Sequence, residues 1–421
     1  MATMLTEKNR VQIAKQQYNK NMDVGKPIKI DGGRKIGTLS EKVNNKATGE
    51  QTYIVTNGKN KVTANSSLSE REKVKEVTVL YRGSTAPNEL SWGAPEVNND
   101  FAADWLQNDV PAAAMVLVGK GGGTPQLKSS ANTLKKTLET YPNAKINIYG
   151  HSLGGMNGQY AVANLSKKQL KRITGAYLYQ CPNVYNLLNA DQKKIADAFT
   201  ASNKGFIYTD QLDLIALGYG ENKPTIGNVL FVDGKDVGDM GKQHMWGGYQ
   251  FDKNGNLKLT KAGNRKKAAI LQAEGLKNLA KLKKKLGAGG DLSSSEEKYL
   301  EASEAFIRVG TMQMEAKQMC EELEKLYKKD MENASELWQK THSDARSLGD
   351  SLSETEIIGA LSDGGATEAK IKLKPIAKRT KKLGKLKEIE QDYNDIINQI
   401  QQAINEVLEK DRELARKIAE G

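Results

Sequence analysis

Gly150-His151-Ser152-Leu153-Gly154 reads G-x-S-x-G and follows directly on Ala144-Lys145-Ile146-Asn147-Ile148-Tyr149, a run with the character of a buried strand. A serine between glycines at the end of such a strand specifies a sharp strand-to-helix turn that lifts its hydroxyl to the top of a sheet. The glycines are needed because the turn brings backbones too close for side chains and requires permissive angles. Gly155, Gly158, Ala161 and Ala163 then predict a helix packed tightly on that sheet. A chain carrying this turn is constrained to an α/β fold.

A nucleophilic serine needs a base, and the chain holds three histidines. His151 lies inside the turn and is expected to point away from Ser152. His342 falls in a charged, helical stretch. His244, in Gly241-Lys242-Gln243-His244-Met245-Trp246, remains as the base if Ser152 acts. An acid is expected between serine and histidine in the chain. Phe206-Ile207-Tyr208-Thr209 reads as a strand, and both Asp210 and Asp213 follow it. Asp213 is preferred, because Leu214-Ile215-Ala216-Leu217 behind it provides an apolar anchor for the loop. Developing negative charge on a tetrahedral intermediate needs backbone donors. Leu153 N–H is one candidate. The second is Ser84, in Arg82-Gly83-Ser84-Thr85, directly after the strand Val77-Thr78-Val79-Leu80-Tyr81.

Taken together, Tyr-Arg-Gly-Ser at 81–84, Gly-His-Ser-Leu-Gly-Gly at 150–155, Asp213 before an apolar run, and His244 resemble a class 3 lipase of the α/β-hydrolase fold. Thr124-Pro125-Gln126, opening the helix before the serine strand, fits the same pattern, and the likeness spans roughly residues 70–260. One departure is the absence of a proline after the aspartate. The resemblance implies acyl transfer to water through a Ser152–His244–Asp213 triad, with Ser84 as the oxyanion residue. It also places a lid at residues 86–111, where Trp92, Phe101, Trp105 and Leu106 serve either a lid or plain core. Neither metal nor cofactor is required.

The chain has 421 residues, enough for two domains, and its two cysteines, Cys181 and Cys320, are too few for a disulfide framework. No apolar stretch reaches the roughly 18 residues of a membrane span. The first residues are polar and lack a signal-peptide core, so the chain is expected to stay in the cytosol or leave by a route without a cleaved signal. The net charge of +12 is concentrated in lysine runs at 281–285 and 370–387. These runs lack interleaved aromatics and lie among glutamates, so they read as solvated helix faces and not as a nucleic-acid interface.

Composition changes near residue 260, dividing the chain into a catalytic domain at 1–262 and a helical domain at 263–421. In the second part, Phe306, Val309, Met312, Ala316, Met319, Leu323 and Leu326 step by three and four. So do Ile389, Tyr393, Ile396, Ile400, Ile404 and Val407. Long amphipathic helices are expected, broken at 287–291 and 362–365, forming a hairpin or bundle that pairs with itself or with a partner. A hydrolase followed by long polar helices, without a signal peptide, resembles a type VII-secreted lipase toxin of Gram-positive bacteria with a C-terminal LXG-like domain. That likeness implies export, small helical helper proteins on the second domain, an immunity protein, and lipid esters at a membrane surface, phospholipid above triacylglycerol. The rival readings are an intracellular esterase for soluble esters and a non-catalytic interaction protein.

Overall fold

The computed structural model describes residues 5–19, 21–58, 61–83, 122–213, 215–216, 218–220 and 223–420. Ser84, the expected lid at 86–111, Leu214 and Leu217 lie outside the described residues. The chain divides into two compact units, Met1–Lys266 and Lys267–Gly421.

In the first unit, helix α1 (Glu7–Lys15) precedes three antiparallel strands, β1 (Pro27–Lys29), β2 (Lys35–Asn45) and β3 (Glu50–Thr56). The short helix α2 (Leu68–Glu72) leads into β4 (Glu76–Tyr81), which pairs antiparallel with β3. Alternating helices and strands follow: α3 (Pro125–Thr140), β5 (Lys145–His151), α4 (Leu153–Ala163), α5 (Lys167–Leu170), β6 (Ile173–Tyr179), α6 (Ala190–Ala201), β7 (Gly205–Asp210) and β8 (Asn228–Val232). Strands β4 to β8 run parallel, and all eight form one sheet in chain order. The short helix α7 (Met240–His244) follows the last strand. The result is an α/β-hydrolase-like fold, with a mixed eight-stranded sheet between two layers.

Strand alternation sorts the two faces. Val77, Val79 and Tyr81, Ile146 and Ile148, Ala176 and Leu178, and Ile207 pack against the helix layer of α3, α4 and α6. Leu80, Tyr149, Tyr179, Tyr208 and Leu230 point the other way, onto Val11, Ile13 and Ala14 of α1 and onto Trp246. This second face is a tyrosine array. Tyr149 stacks on Tyr177 at 5.1 Å between ring centroids, Tyr177 on Phe206 at 5.8 Å, and Tyr179 on Tyr208 at 5.1 Å. Helix α1 supplies the polar partners for it. The Arg10 guanidinium lies 3.9 Å from the Tyr177 ring and donates to the Tyr149 hydroxyl at 3.0 Å, while Tyr208 donates to Glu7 at 3.3 Å. Buried hydroxyls thereby find partners, which burial requires.

The second unit is built from long helices: α8 (Lys261–Leu286, entering from the first unit), α9 (Ser294–Leu348), α10 (Glu354–Asp363) and α11 (Lys374–Glu420). Arg379 reaches Asp330 at 2.8 Å and Lys382 lies over the Tyr327 ring, so α9 and α11 pair antiparallel. Breaks occur at 287–293 and 364–367, near the expected positions, and also at 349–353. The unanticipated break is closed by a capping box, Ser353 with Glu356, restarting the chain as α10. Pro375 sits in a continuous helical run instead of ending one. A π turn at Ala369–Leu373, with Lys374 N–H bonded to Ala369 O, absorbs the hydrogen bond that proline cannot donate.

The packed seam overlaps the expected one at Val309, with Phe306, Ala316, Tyr393 and Ile404 half-buried, and departs from it elsewhere. Leu300, Val309, Cys320 and Ala334 of α9 and Leu386 and Ile397 of α11 are buried, whereas Met312, Met319, Leu326, Ile389, Ile396 and Val407 are exposed. Among the described residues no helix is long and apolar enough to cross a membrane.

Candidate active site

The turn predicted from G-x-S-x-G is present. Ser152 has φ 57° and ψ −130°, a conformation costly for a residue with a side chain, between β5 and the first turn of α4. Its N–H is held by Tyr179 O at 3.0 Å. The glycines are sterically compelled. A Cβ on Gly150 would meet Gly154 O at 2.4 Å, and one on Gly154 would meet Tyr81 O at 2.1 Å. Leu153 is the first residue of α4, where N–H groups have no intrahelical carbonyl and the helix dipole favours negative charge.

Asp213 and His244, the acid and base expected from sequence, are in contact. His244 Nδ1 lies 2.8 Å from Asp213 Oδ2, and both side chains are almost wholly buried. A carboxylate only accepts, so Nδ1 carries the proton and the basic lone pair is on Nε2. The other Asp213 oxygen accepts from Ile215 N–H at 3.0 Å, which fixes the carboxylate. Asp210 has a different role. It accepts from Gln243 Nε2 at 2.7 Å and from Leu212 N–H at 3.0 Å, tying the helix that carries His244 to the end of β7. Burial pushes the Asp210 carboxyl up, against the pull of these two bonds.

His151 joins the serine turn to His244. Its Nε2 lies 2.8 Å from the His244 carbonyl oxygen, and the two rings stand 4.6 Å apart. A carbonyl only accepts, so the Nε2 of His151 donates and its Nδ1 accepts from the Tyr18 hydroxyl at 2.7 Å. Complete burial, with His244 nearby, holds His151 well below the usual imidazole range, so it is a neutral strut. Trp246 stacks on it at 3.9 Å. On the other side of the turn, Gln17 is fully buried and accepts from Gly83 N–H at 3.0 Å. A Cβ on Gly83 would lie 3.3 Å from Ser152 Cβ, so this glycine is where the β4 loop passes the serine.

Of the residues expected from sequence, Asp213 and His244 are therefore in direct contact, and Ser152 adjoins the side chain that braces His244. Leu153 opens the helix behind the serine, and Ser84 lies outside the described residues. Sequence reasoning missed Gln17, Tyr18, Gln243 and Trp246. Only Gln243 and Trp246 lay in a segment already singled out, and nothing in their spacing marked them. Among the described residues no cluster of histidine, cysteine and carboxylate side chains has a metal-binding arrangement. Cys181 and Cys320 are free thiols.

No family model matches this chain, and no curated protein matches it. Among solved structures it is similar to a triacylglycerol lipase from Penicillium expansum, at 14% identity and a TM-score of 0.29, covering 54% of this chain and 79% of that one.

Proposed function

We propose that the first unit is a carboxylic ester hydrolase acting through an acyl-enzyme. The observation that carries this reading is the buried 2.8 Å His244–Asp213 bond beside a serine held at φ 57° at a helix N-terminus. In the proposed cycle, His244 Nε2 takes the Ser152 proton as the oxygen attacks the ester carbonyl, and Asp213 stabilises the imidazolium without accepting its proton. Leu153 N–H and Ser84 steady the oxyanion. Collapse expels the alcohol, protonated by His244, and a water deprotonated by the same ring then releases the acid.

The proposed substrates are lipid esters at a membrane surface, phospholipid above triacylglycerol, with residues 86–111 as a lid. The helical unit is proposed to serve type VII export, with small helical helper proteins on it and an immunity protein guarding the producer. What favours a helix-binding role is the exposure of Met312, Met319 and Leu326 on α9 and of Ile389 and Ile396 on α11.

A fluorophosphonate probe tests the chemistry. It should label the wild-type protein and not Ser152→Ala; absence of labelling in both removes the proposal. Mass spectrometry of products from a mixed phospholipid extract, wild type against Ser152→Ala, then reads the substrate.

A further inference from the structure

Arg82 is buried to within 9% of its surface, and its Nε has no hydrogen-bond partner. Its Nη1 reaches the Tyr53 hydroxyl only at 3.5 Å, the outer limit of a hydrogen bond, and its Cζ lies 6.0 Å from the centre of the Tyr18 ring, which leaves Nε still without an acceptor. A guanidinium withdrawn from water with an orphan donor is costly unless something supplies an acceptor. Arg82 lines a cavity of about 140 Å³ together with Lys42, Asn44, Gln51 and Tyr53. Cross-strand pairing puts these four on one face, since Lys42 is opposite Tyr53 and Asn44 is opposite Gln51. The lining carries two cations and no carboxylate. The neighbouring acids turn elsewhere: Glu41 pairs with Lys136 at 2.9 Å, and Glu50 accepts from Thr52 and Ser129.

Such a cavity is suited to an anion. It has room for several waters, hence for a tetrahedral phosphate, and arginine's planar fork matches phosphate oxygens. Its position gives it a use. Arg82 immediately precedes Gly83, the glycine that passes Ser152. We infer that this cavity is a phosphate subsite, holding the phosphodiester of a glycerophospholipid while its acyl ester meets Ser152. The inference rests on the ester-hydrolase reading for the second half of that statement, and on the cavity alone for the first.

The experiment has two arms. In the first, inorganic phosphate and glycerophosphocholine are titrated into full-length Ser152→Ala protein and followed by phosphorus NMR line broadening. Both should bind, and adding Lys42→Gln or Arg82→Gln should weaken binding about tenfold, the scale of one charge-assisted contact. In the second, kcat/KM is measured for monomeric dihexanoyl phosphatidylcholine and for dihexanoylglycerol. The ratio of the two should fall about tenfold in Lys42→Gln and Arg82→Gln, while Lys136→Gln, on the opposite face, keeps the wild-type ratio. Lys42 is exposed, so its variant tests the site even if Arg82→Gln does not fold. No phosphate binding overturns the inference. Binding of inorganic phosphate with an unchanged ratio overturns the lipid assignment in favour of a free-phosphate site. Variant-sensitive binding without any ester cleavage supports the subsite and removes the hydrolase reading instead.

Discussion

His151 lies between Ser152 and His244, and its chemistry is decided by burial. Because it stays neutral, Tyr18 must donate to it, and Tyr18→Phe leaves a buried ring nitrogen without a partner. The expected cost is about 1–3 kcal/mol of stability, read from denaturant midpoints, with kcat falling more than KM changes because His244 loses its brace. Ser152→Ala and His244→Ala should each abolish ester cleavage with the fold intact by circular dichroism. Asp213→Asn should lower kcat by about 10⁴, since an amide can no longer hold the required tautomer. Asp210→Asn keeps an acceptor for Gln243 and should be far milder in the same assay; equal losses in the two variants would leave the acid unassigned.

At the scale of elements, the tightest junction is the one between β4, β5 and α4. Gly154→Ala pushes a methyl into Tyr81 O and should prevent soluble expression or cost several kcal/mol by thermal unfolding, about the range of severe overpacking. How much of this was readable from sequence follows from the same contacts. The serine turn was legible because steric necessity writes glycine at fixed offsets, and His244 because few histidines compete. Gln17 and Tyr18 were not legible. They end a short polar helix whose spacing singles out neither, and their partners lie far away in the chain, at Gly83 and His151. The helical seam was legible only in part, for a related reason. Apolar residues at three-four spacing specify a helix, but only the neighbouring helix decides which of them are covered. The break at Gly349 hid behind a helix-compatible composition, although Ser353 and Glu356 had the spacing of a restart. Pro375→Ala should convert the π turn to regular α-helix, detectable as slower amide exchange across 369–375.

For the molecule as a whole, the division into two units predicts separable properties. Deleting residues 267–421 should spare ester hydrolysis, measured on a soluble ester, while abolishing helper binding or export; loss of hydrolysis would contradict the proposed division of labour. The tyrosine face has a further consequence, in alkali. Burial raises the hydroxyls of Tyr179, Tyr208 and Tyr249 well above the ordinary phenol range. An unfolded chain ionises them near pH 10, so their contribution to stability is whole below that pH and drains away as it rises. Phenolate absorbance should therefore climb in two waves, first from accessible rings and then abruptly, with loss of ellipticity, as the sheet surrenders its aromatic floor.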